Sequence, residues 1–363
     1  MAAHLDTADP ASAASGGRVS QAAPRVRPRA RWADDLMVAV LGTWGVIGSV
    51  LDSWAHANHR PDSFFTPWHG VLYSGTFAMV GCVAWVAWRR RIPGAGSGGL
   101  PAGYGLGLVG FALFLVGAAG DLTWHTTLGI EVNLDGAVSP THLTLILAGF
   151  LLLSTPLRSA WAAPGRAPAA REFLPALLAL LNVAALLALV SNSLAAAWGE
   201  LAPTVPMSQP AAPGTVDGLI TQEGLLSVLV SNLLMLGLAL LALRRWRTPF
   251  GVITLGFLAF AAAQLAVRDF ATGWTLLAAA LGGLSADLLV GLRGLDRRRR
   301  SLLVATVTPV VLWSAWLGVL AIDLGLTWTP ALCGGTVMLA ALSGLGLHVL
   351  LCPPPVPSAG QRA

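Results

Sequence analysis

The chain contains ten apolar runs of about 20 residues each, and these runs restrict its fold more than any other feature. Their predicted bounds are 36–57, 66–88, 104–127, 140–158, 173–197, 220–243, 249–267, 270–292, 301–323 and 330–351. A helix of about 20 apolar residues crosses the hydrocarbon layer of a bilayer. That layer offers no hydrogen bonds to a bare backbone, so such runs are expected to be helices. The sequence therefore predicts an all-α, polytopic membrane bundle with repeated helical hairpins.

The overall composition agrees with a membrane protein and excludes several other classes. Apolar residues make up 55% of the 363 residues and charged residues only 11%, which is not the composition of a water-soluble domain. The net charge of +5 comes from arginine clusters between apolar runs, and there is no basic domain that would indicate a nucleic-acid partner. The three cysteines are scattered and form no Cys-x-x-Cys motif, so neither a disulfide framework nor a thiolate metal site is indicated.

The arginines predict the orientation of the bundle. All 22 cationic residues are arginine, and if both termini are cytoplasmic, 20 of them fall inside and only Arg60 and Arg268 outside. This asymmetry is typical of a cell-membrane protein that has both its N-terminus and its C-terminus on the cytoplasmic side. Several tryptophans would then form an aromatic belt at the outer interface: Trp54, Trp68, Trp124, Trp198 and Trp328.

The predicted spans divide the chain into four parts. Residues 1–33 are rich in Ala, Ser, Pro and Arg without an apolar period, and we expect a disordered cytoplasmic tail. Residues 34–160 hold spans 1 to 4, residues 173–351 hold spans 5 to 10, and residues 352–363 form a second disordered tail.

An internal repeat occurs in the first of these two helical parts. Asp52 and His56 near the end of span 1 are followed by His69 near the start of span 2. The same order recurs in spans 3 and 4, with Asp121, His125 and His142. With His59 in the loop of the first hairpin, five of the seven histidines lie in two similar hairpins, all at the same predicted end of the bundle.

The spacing explains how these side chains can converge. Residues four apart lie on one helix face, one turn from each other, as Asp52 and His56 do. In each returning helix a hydroxyl residue precedes a proline, which predicts an N-cap and a first helical residue and places the second histidine at the third helical position. The positive end of the helix dipole disfavours an imidazolium there, so the ring should stay neutral and able to bind a metal.

The donor set of each hairpin is one carboxylate and two imidazoles. Two nitrogens and one oxygen suit copper, with iron and zinc as less favoured choices, and they leave a coordination position open. The predicted metal ligands are Asp52, His56 and His69 in one site, and Asp121, His125 and His142 in the other. The alternative is a hydrogen-bonded Asp–His pair at the wet interface that only holds the helix ends together.

The first triad resembles the metal-binding pattern in the C subunit of the copper membrane monooxygenases, which oxidise methane or ammonia. The likeness covers about residues 34–160, and in that family an Asn-x-x-x-His motif with a later His stands where Asp121, His125 and His142 lie here. The resemblance implies two copper sites, oxygen-dependent hydroxylation of a small apolar substrate, and partner subunits. Spans 5 to 10 have no counterpart in it.

Three functions from different classes remain open at this point. The first is a copper-dependent membrane oxidoreductase with its site facing the extracytoplasmic side. The second is a transporter or sensor for metal or protons, although polar residues at midmembrane depth are scarce. The third is a bis-histidine haem protein, which would leave the two carboxylates unexplained. A purely structural membrane component, alone or as a homo-oligomer, is a further alternative.

A few other polar residues carry weaker expectations. His59 is expected to be a solvated loop residue, and Glu131 and Asp135 to be ordinary loop acids. Glu223 is expected to stabilise the start of span 6. Asp287, inside span 8, is expected either to pair with an arginine or to be functional.

Overall fold

The computed structural model describes residues 27–61, 65–129, 138–193, 196–207, 212 and 214–352, apart from the side chain of residue 200. Within these ranges the protein is all-helical and contains no strand. The eleven helices, listed in chain order, are α1 (Trp32–Ala57), α2 (Pro67–Arg90), α3 (Tyr104–Leu128), α4 (Pro140–Leu153), α5 (Thr155–Trp161), α6 (Ala170–Asn192), α7 (Val216–Arg245), α8 (Val252–Ala266), α9 (Leu276–Gly291), α10 (Arg297–Asp323) and α11 (Pro330–Leu351). A single helical turn, Ala197–Glu200, lies between α6 and α7.

The predicted helical membrane bundle is confirmed. In the described ranges nine segments are long and apolar enough to cross a membrane, one of them being α4 and α5 together. Every predicted span coincides with a helix or a pair of helices. The seventh span differs because α8 has only 15 residues, too few to cover a bilayer of average thickness without tilt or thinning.

The fourth span is interrupted at Ser154, between α4 and α5. Pro156 follows at the start of α5, and a proline cannot donate the backbone hydrogen bond that would continue the preceding helix. Arg158 compensates, because its guanidinium donates to the carbonyl oxygen of Leu151 at 2.6 Å and to that of Gly103 at 3.2 Å. The break therefore leaves a partly buried arginine satisfied by backbone oxygens.

Successive spans alternate in direction, with α4 and α5 counted as one span, so the bundle has two chemically different ends. At one end the guanidinium of Arg90 contacts the Asp34 carboxylate at 2.7 Å, joining the start of α1 to the end of α2. At this end Arg245 donates to Gly165 and Trp161 carbonyls, and Arg297 donates to that of Leu243. Of the arginines that the structure describes, only Arg60 and Arg268 lie at the opposite end.

The two helical parts share one hydrophobic core. Helix α6 packs against α1 on one side and α8 on the other, and the largest cluster of buried apolar side chains includes residues from both parts. Asn182 of α6 is buried here, where its Nδ2 donates to the Ala39 carbonyl and its Oδ1 accepts from Thr43 Oγ1, each at 3.0 Å.

Two of the tryptophans expected at the outer interface are in the core instead. Trp198 is 1% exposed and packs on Trp313, Trp316 and Phe260, with its ring centre 5.2 Å from that of Trp313. Trp328 is 4% exposed. The prediction was wrong for both. Trp198 is buried because α6 ends at Asn192 and the chain then turns inward at Ala197–Glu200 rather than continuing the helix to the surface. Trp328 is buried because its ring packs against Gly224 of α7.

Asp287 holds the start of α8, and this role replaces the predicted arginine pair. The side chain is 2% exposed, and its carboxylate accepts from the backbone N–H groups of Ile253 and Thr254 and from the Thr254 hydroxyl. A carboxylate at a helix N-terminus is favoured by the unpaired N–H groups and by the helix dipole. The acid therefore stabilises the start of α8, which has only 15 residues.

The segment just before α1 is attached to the bundle. The carbonyl oxygen of Pro28 accepts from the Ala102 N–H at 2.9 Å, and Arg29 donates to the Ala162 carbonyl at 2.8 Å. The rest of the two predicted tails, residues 1–26 and 353–363, lies outside the described residues.

Candidate metal centres

Close packing of α1 on α2 brings the first three predicted ligands together. A Cβ atom at Gly48 would lie 2.4 Å from Leu72 Cα, and one at Gly75 would lie 2.5 Å from Gly45 N. The two helices can approach this closely only because those positions are glycine. Asp52, one turn beyond Gly48, therefore faces the first turn of α2.

The first triad consists of Asp52, His56 and His69. His69 Nε2 lies 2.8 Å from Asp52 Oδ1, and His56 Nε2 lies 3.7 Å from the same oxygen. The two imidazole centres are 6.3 Å apart, and one ligating atom from each of the three residues lies within 4.8 Å of the others. Side-chain exposure is 12% for His69 and 51% for His56, so the group is open on one side.

The second triad has the same arrangement on α3 and α4. His125 Nε2 lies 3.4 Å from Asp121 Oδ2, and His142 Nε2 lies 3.9 Å from Asp121 Oδ1. The two rings are 5.9 Å apart, and the three ligating atoms again lie within 4.8 Å of one another. The structure thus places all six predicted ligands in two groups of three at the same end of the bundle.

The hydroxyl residue before each proline contacts the histidine at the third helical position. Thr66 Oγ1 lies 2.9 Å from His69 Nδ1, and Ser139 Oγ lies 2.8 Å from His142 Nδ1. When such a hydroxyl accepts from Nδ1–H, the ring keeps its lone pair on Nε2, the nitrogen that faces the aspartate in both triads. A hydrogen bond of this kind fixes the orientation of a metal-binding imidazole.

The two caps differ in one respect. Ser139 Oγ also accepts from the backbone N–H of His142 at 3.3 Å, as an N-cap does, whereas Thr66 makes no side-chain cap hydrogen bond. The predicted N-cap positions and first-turn prolines are therefore confirmed, but in the first hairpin the hydroxyl contacts only the imidazole.

The aspartates also have different surroundings. Asp121 Oδ1 accepts from Thr141 Oγ1 at 3.0 Å. Asp52 Oδ1 is buried, and no described residue donates a well-directed hydrogen bond to it, although His69 Nε2 is close. A buried carboxylate oxygen without such a donor is costly, and a cation would offset that cost.

The distances within the triads fit a first-row transition ion. Two donors each about 2.1 Å from one ion lie about 3.0 to 3.4 Å apart at bond angles of 90° to 109°. The observed separations from the aspartate oxygens, 2.8 and 3.7 Å in the first triad and 3.4 and 3.9 Å in the second, bracket this range. The ligating atoms of the two imidazoles in each triad lie within 4.8 Å of each other, so binding one ion would also draw the two rings together.

Contacts that the sequence did not reveal support the first triad. Tyr73 stacks on His69 with ring centres 5.5 Å apart and an interplanar angle of 12°. Its position four residues after His69 on one helix was the signal that could have identified it. Trp54, between the two ligands of α1, donates from its indole N–H to Asp269 Oδ1 at 2.6 Å and so anchors this helix end to the turn after α8.

The other singled-out residues lie outside the two groups. His59 is exposed in the loop after α1, and His348 is buried at the far end with its Nδ1 3.1 Å from Ser301 Oγ. Glu223 is not at a helix start, because α7 begins at Val216 and places it in the third turn; that prediction was wrong. Glu131 and Asp135 lie outside the described residues.

Comparisons with protein-family models, with curated proteins and with solved structures find no match for this chain.

Proposed function

We propose that this multi-pass membrane protein binds two transition-metal ions, copper in the first place, at its two Asp–His–His triads. The observation that carries the proposal is the duplication: two hairpins each converge one carboxylate and two imidazoles within 4.8 Å. A hydrogen-bonded Asp–His pair that only joined helix ends would need no third ligand, and it would not need a hydroxyl beside Nδ1 of the second histidine in both hairpins.

Copper is the ion best suited to this donor set. Imidazole nitrogen with one carboxylate oxygen suits copper, zinc and iron, and among divalent first-row ions copper(II) binds such ligands most tightly. The partial exposure of His56 and His142, 51% and 39%, leaves room for a further ligand at each site. The resemblance of the first triad to that of the copper membrane monooxygenases favours the same ion.

The chemistry proposed for these sites is oxygen-dependent hydroxylation of a small apolar molecule, in which dioxygen supplies the inserted oxygen atom and an external two-electron donor, with two protons, reduces the other oxygen atom to water. A bound copper ion would supply one-electron redox chemistry. Leu122 and Leu143, which are next to Asp121 and His142 in the sequence, are half-exposed, and this agrees with access to the second triad for a molecule dissolved in the bilayer. In this proposal the protein's own residues hold the ion, orient the imidazoles and admit the substrate.

Metal transport through the bundle is the less favoured function. A transported ion needs polar groups to receive it at midmembrane depth. The polar groups below the first triad, the partly buried Thr43 and the buried Asn182, are bonded to each other and to a backbone carbonyl. Fixed sites at one membrane surface agree better with this arrangement.

Metal analysis of the detergent-purified chain tests the proposal. After removal of adventitious metal and titration with copper(II), we expect two equivalents by elemental analysis and nitrogen-coordinated copper by electron paramagnetic resonance. The double variants His56→Ala/His69→Ala and His125→Ala/His142→Ala should each retain one equivalent.

His59→Ala is the matched control, since it removes an exposed histidine from the same helix end without touching either triad. It should retain both equivalents. Unchanged copper content in both double variants would reject the ligand assignment. Uptake of copper into vesicles that requires Asp52 would favour transport.

The orientation proposed for the protein puts the triads on the extracytoplasmic side of the cell membrane. Its support is the arginine distribution, since the arginine-rich end of a membrane protein faces the cytoplasm. With Cys82, Cys333 and Cys352 replaced by alanine, a membrane-impermeant maleimide should label Arg60→Cys in intact cells and leave Arg166→Cys unlabelled. The reverse pattern would contradict the orientation.

A further inference from the structure

A cavity lies between the start of α7, the middle of α10 and the segment that connects α6 to α7. It encloses about 190 Å³. Most of its wall is apolar, from Leu201, Pro203 and Ile220 among others, and the Glu223 side chain also lines it. None of the six triad residues contributes to this wall, so the cavity is distinct from the candidate metal centres.

Two buried polar groups in the wall have no hydrogen-bond partner elsewhere in the described part of the chain. Trp316 is 1% exposed and Ser227 is 2% exposed, and neither the indole Nε1 of the first nor the Oγ of the second is bonded. By contrast, the neighbouring Trp313 donates its indole N–H to Asn232 Oδ1 at 3.0 Å. Buried polar groups in proteins are nearly always paired, so two that line one cavity indicate a ligand there.

The polar groups of the wall determine which ligand fits. An indole N–H can only donate, so the ligand must present an acceptor to Trp316. The Ser227 hydroxyl can also accept, so the ligand can present a donor to it, and the negative charge of Glu223, which is exposed at the edge of the cavity, would repel an anionic ligand. A hydroxyl group does both, and the remaining apolar wall favours a neutral hydrocarbon body. We infer that the cavity formed by Ser227, Trp316 and Glu223 binds a small neutral alcohol or phenol.

The size of the cavity agrees with a ligand of this class. An engineered apolar cavity of about 150 Å³ accommodates benzene. A volume of about 190 Å³ therefore holds one aromatic ring with one or two substituents. Gly224 sets the width, because a Cβ there would lie 2.3 Å from Ala202 Cβ and 2.9 Å from Trp328 Cζ2.

A pair of fluorinated probes of equal size can test the assignment. 4-Fluorophenol and 4-fluorotoluene differ only in a hydroxyl against a methyl group, and fluorine magnetic resonance reports saturable binding to the metal-free protein in nanodiscs. Partition into lipid is not saturable, and so it is separated from binding to the cavity. We expect the phenol to bind at least threefold more tightly than the toluene, because a net hydrogen bond to the protein changes an affinity about threefold to tenfold.

Two conservative variants remove the proposed hydrogen bonds. Trp316→Phe and Ser227→Ala should each lower the affinity for 4-fluorophenol about threefold to tenfold while leaving that for 4-fluorotoluene within twofold. Ser231→Ala is the control. It also removes a buried hydroxyl that has no partner among the described residues, one turn along α7 from Ser227, but Ser231 is not part of the cavity wall.

Several results would overturn the assignment. These are the absence of saturable binding, equal affinity of the wild type for the two probes, and unchanged 4-fluorophenol affinity in both Trp316→Phe and Ser227→Ala. Should Trp316→Phe fail to fold, Ser227→Ala alone decides. The measurement uses metal-free protein, so its outcome does not depend on that of the copper titration.

Discussion

Replacing Thr66 by valine should weaken the first metal site without disturbing the helix that carries it. Valine has nearly the shape of threonine and lacks the hydroxyl. In the structure the Thr66 hydroxyl contacts His69 Nδ1 at 2.9 Å and makes no cap hydrogen bond to the backbone of α2. The substitution therefore removes the imidazole's partner but no bond within the helix.

The size of the expected effect follows from the role of that hydroxyl. Loss of an outer hydrogen bond to a metal-binding histidine lowers metal affinity about 10-fold to 100-fold. This range corresponds to about 1.4 to 2.8 kcal/mol. We expect the upper part of it for His69, because its ring is only 12% exposed and water has little access to replace the lost partner.

Competition with a chelator of known copper affinity measures the effect, and the second triad serves as an internal standard. In Thr66→Val one of the two copper equivalents should be lost to the chelator at a lower concentration, while the other should behave as in the wild type. Thr66→Ser keeps a hydroxyl and should restore the affinity.

The symmetry of the hairpins supplies a second control. Ser139→Ala should weaken the other site and, because Ser139 Oγ also accepts the His142 backbone N–H, should destabilise the start of α4 by about 1 kcal/mol as well. Wild-type copper affinity of both sites in Thr66→Val would refute the argument that the hydroxyl orients the ring.

Three further predictions concern the packing of the helices and the protonation of the metal sites. Gly48→Ala should lower the free energy of unfolding by roughly 1–3 kcal/mol in denaturant titration and weaken the first copper site, because its Cβ would meet Leu72 Cα. Gly81→Ala on α2 is the control, since its Cβ would meet nothing within 4 Å, and it should change neither the stability nor the copper affinity. Asp287→Ala should destabilise the bundle by about 2–4 kcal/mol without changing copper content, since it leaves the start of α8 uncapped; a change below 0.5 kcal/mol would contradict this role. Copper affinity should fall as the pH is lowered, because protons compete with the metal for the imidazole nitrogens, and an affinity that does not depend on pH would contradict histidine ligation.

Local sequence patterns were sufficient for much of this protein. The length of the apolar runs predicted the helices, and the start of α2 and of α4 followed from a hydroxyl residue and a proline. The Asp-x-x-x-His spacing put two side chains on one face of α1 and of α3. These inferences succeeded because each depends on residues within one or two turns of a helix.

Contacts between distant segments were not predictable in the same way. Asp287 caps a helix more than 30 residues earlier in the chain, and Trp198 is buried by residues of α8 and α10. No local pattern specifies which helix faces which. The same limitation concealed the cavity at Trp316 and Ser227, whose walls come from three separate parts of the chain.

The sequence by itself determined that this protein is a membrane bundle with two repeated hairpins, and it identified which residues could bind a metal. Only the tertiary structure decided how closely those residues approach, because the separation of α1 and α2 depends on glycines meeting the partner backbone. It also decided which polar groups are paired. Helix formation is a local property of the chain, whereas distances and hydrogen bonds between helices depend on how all of them pack together.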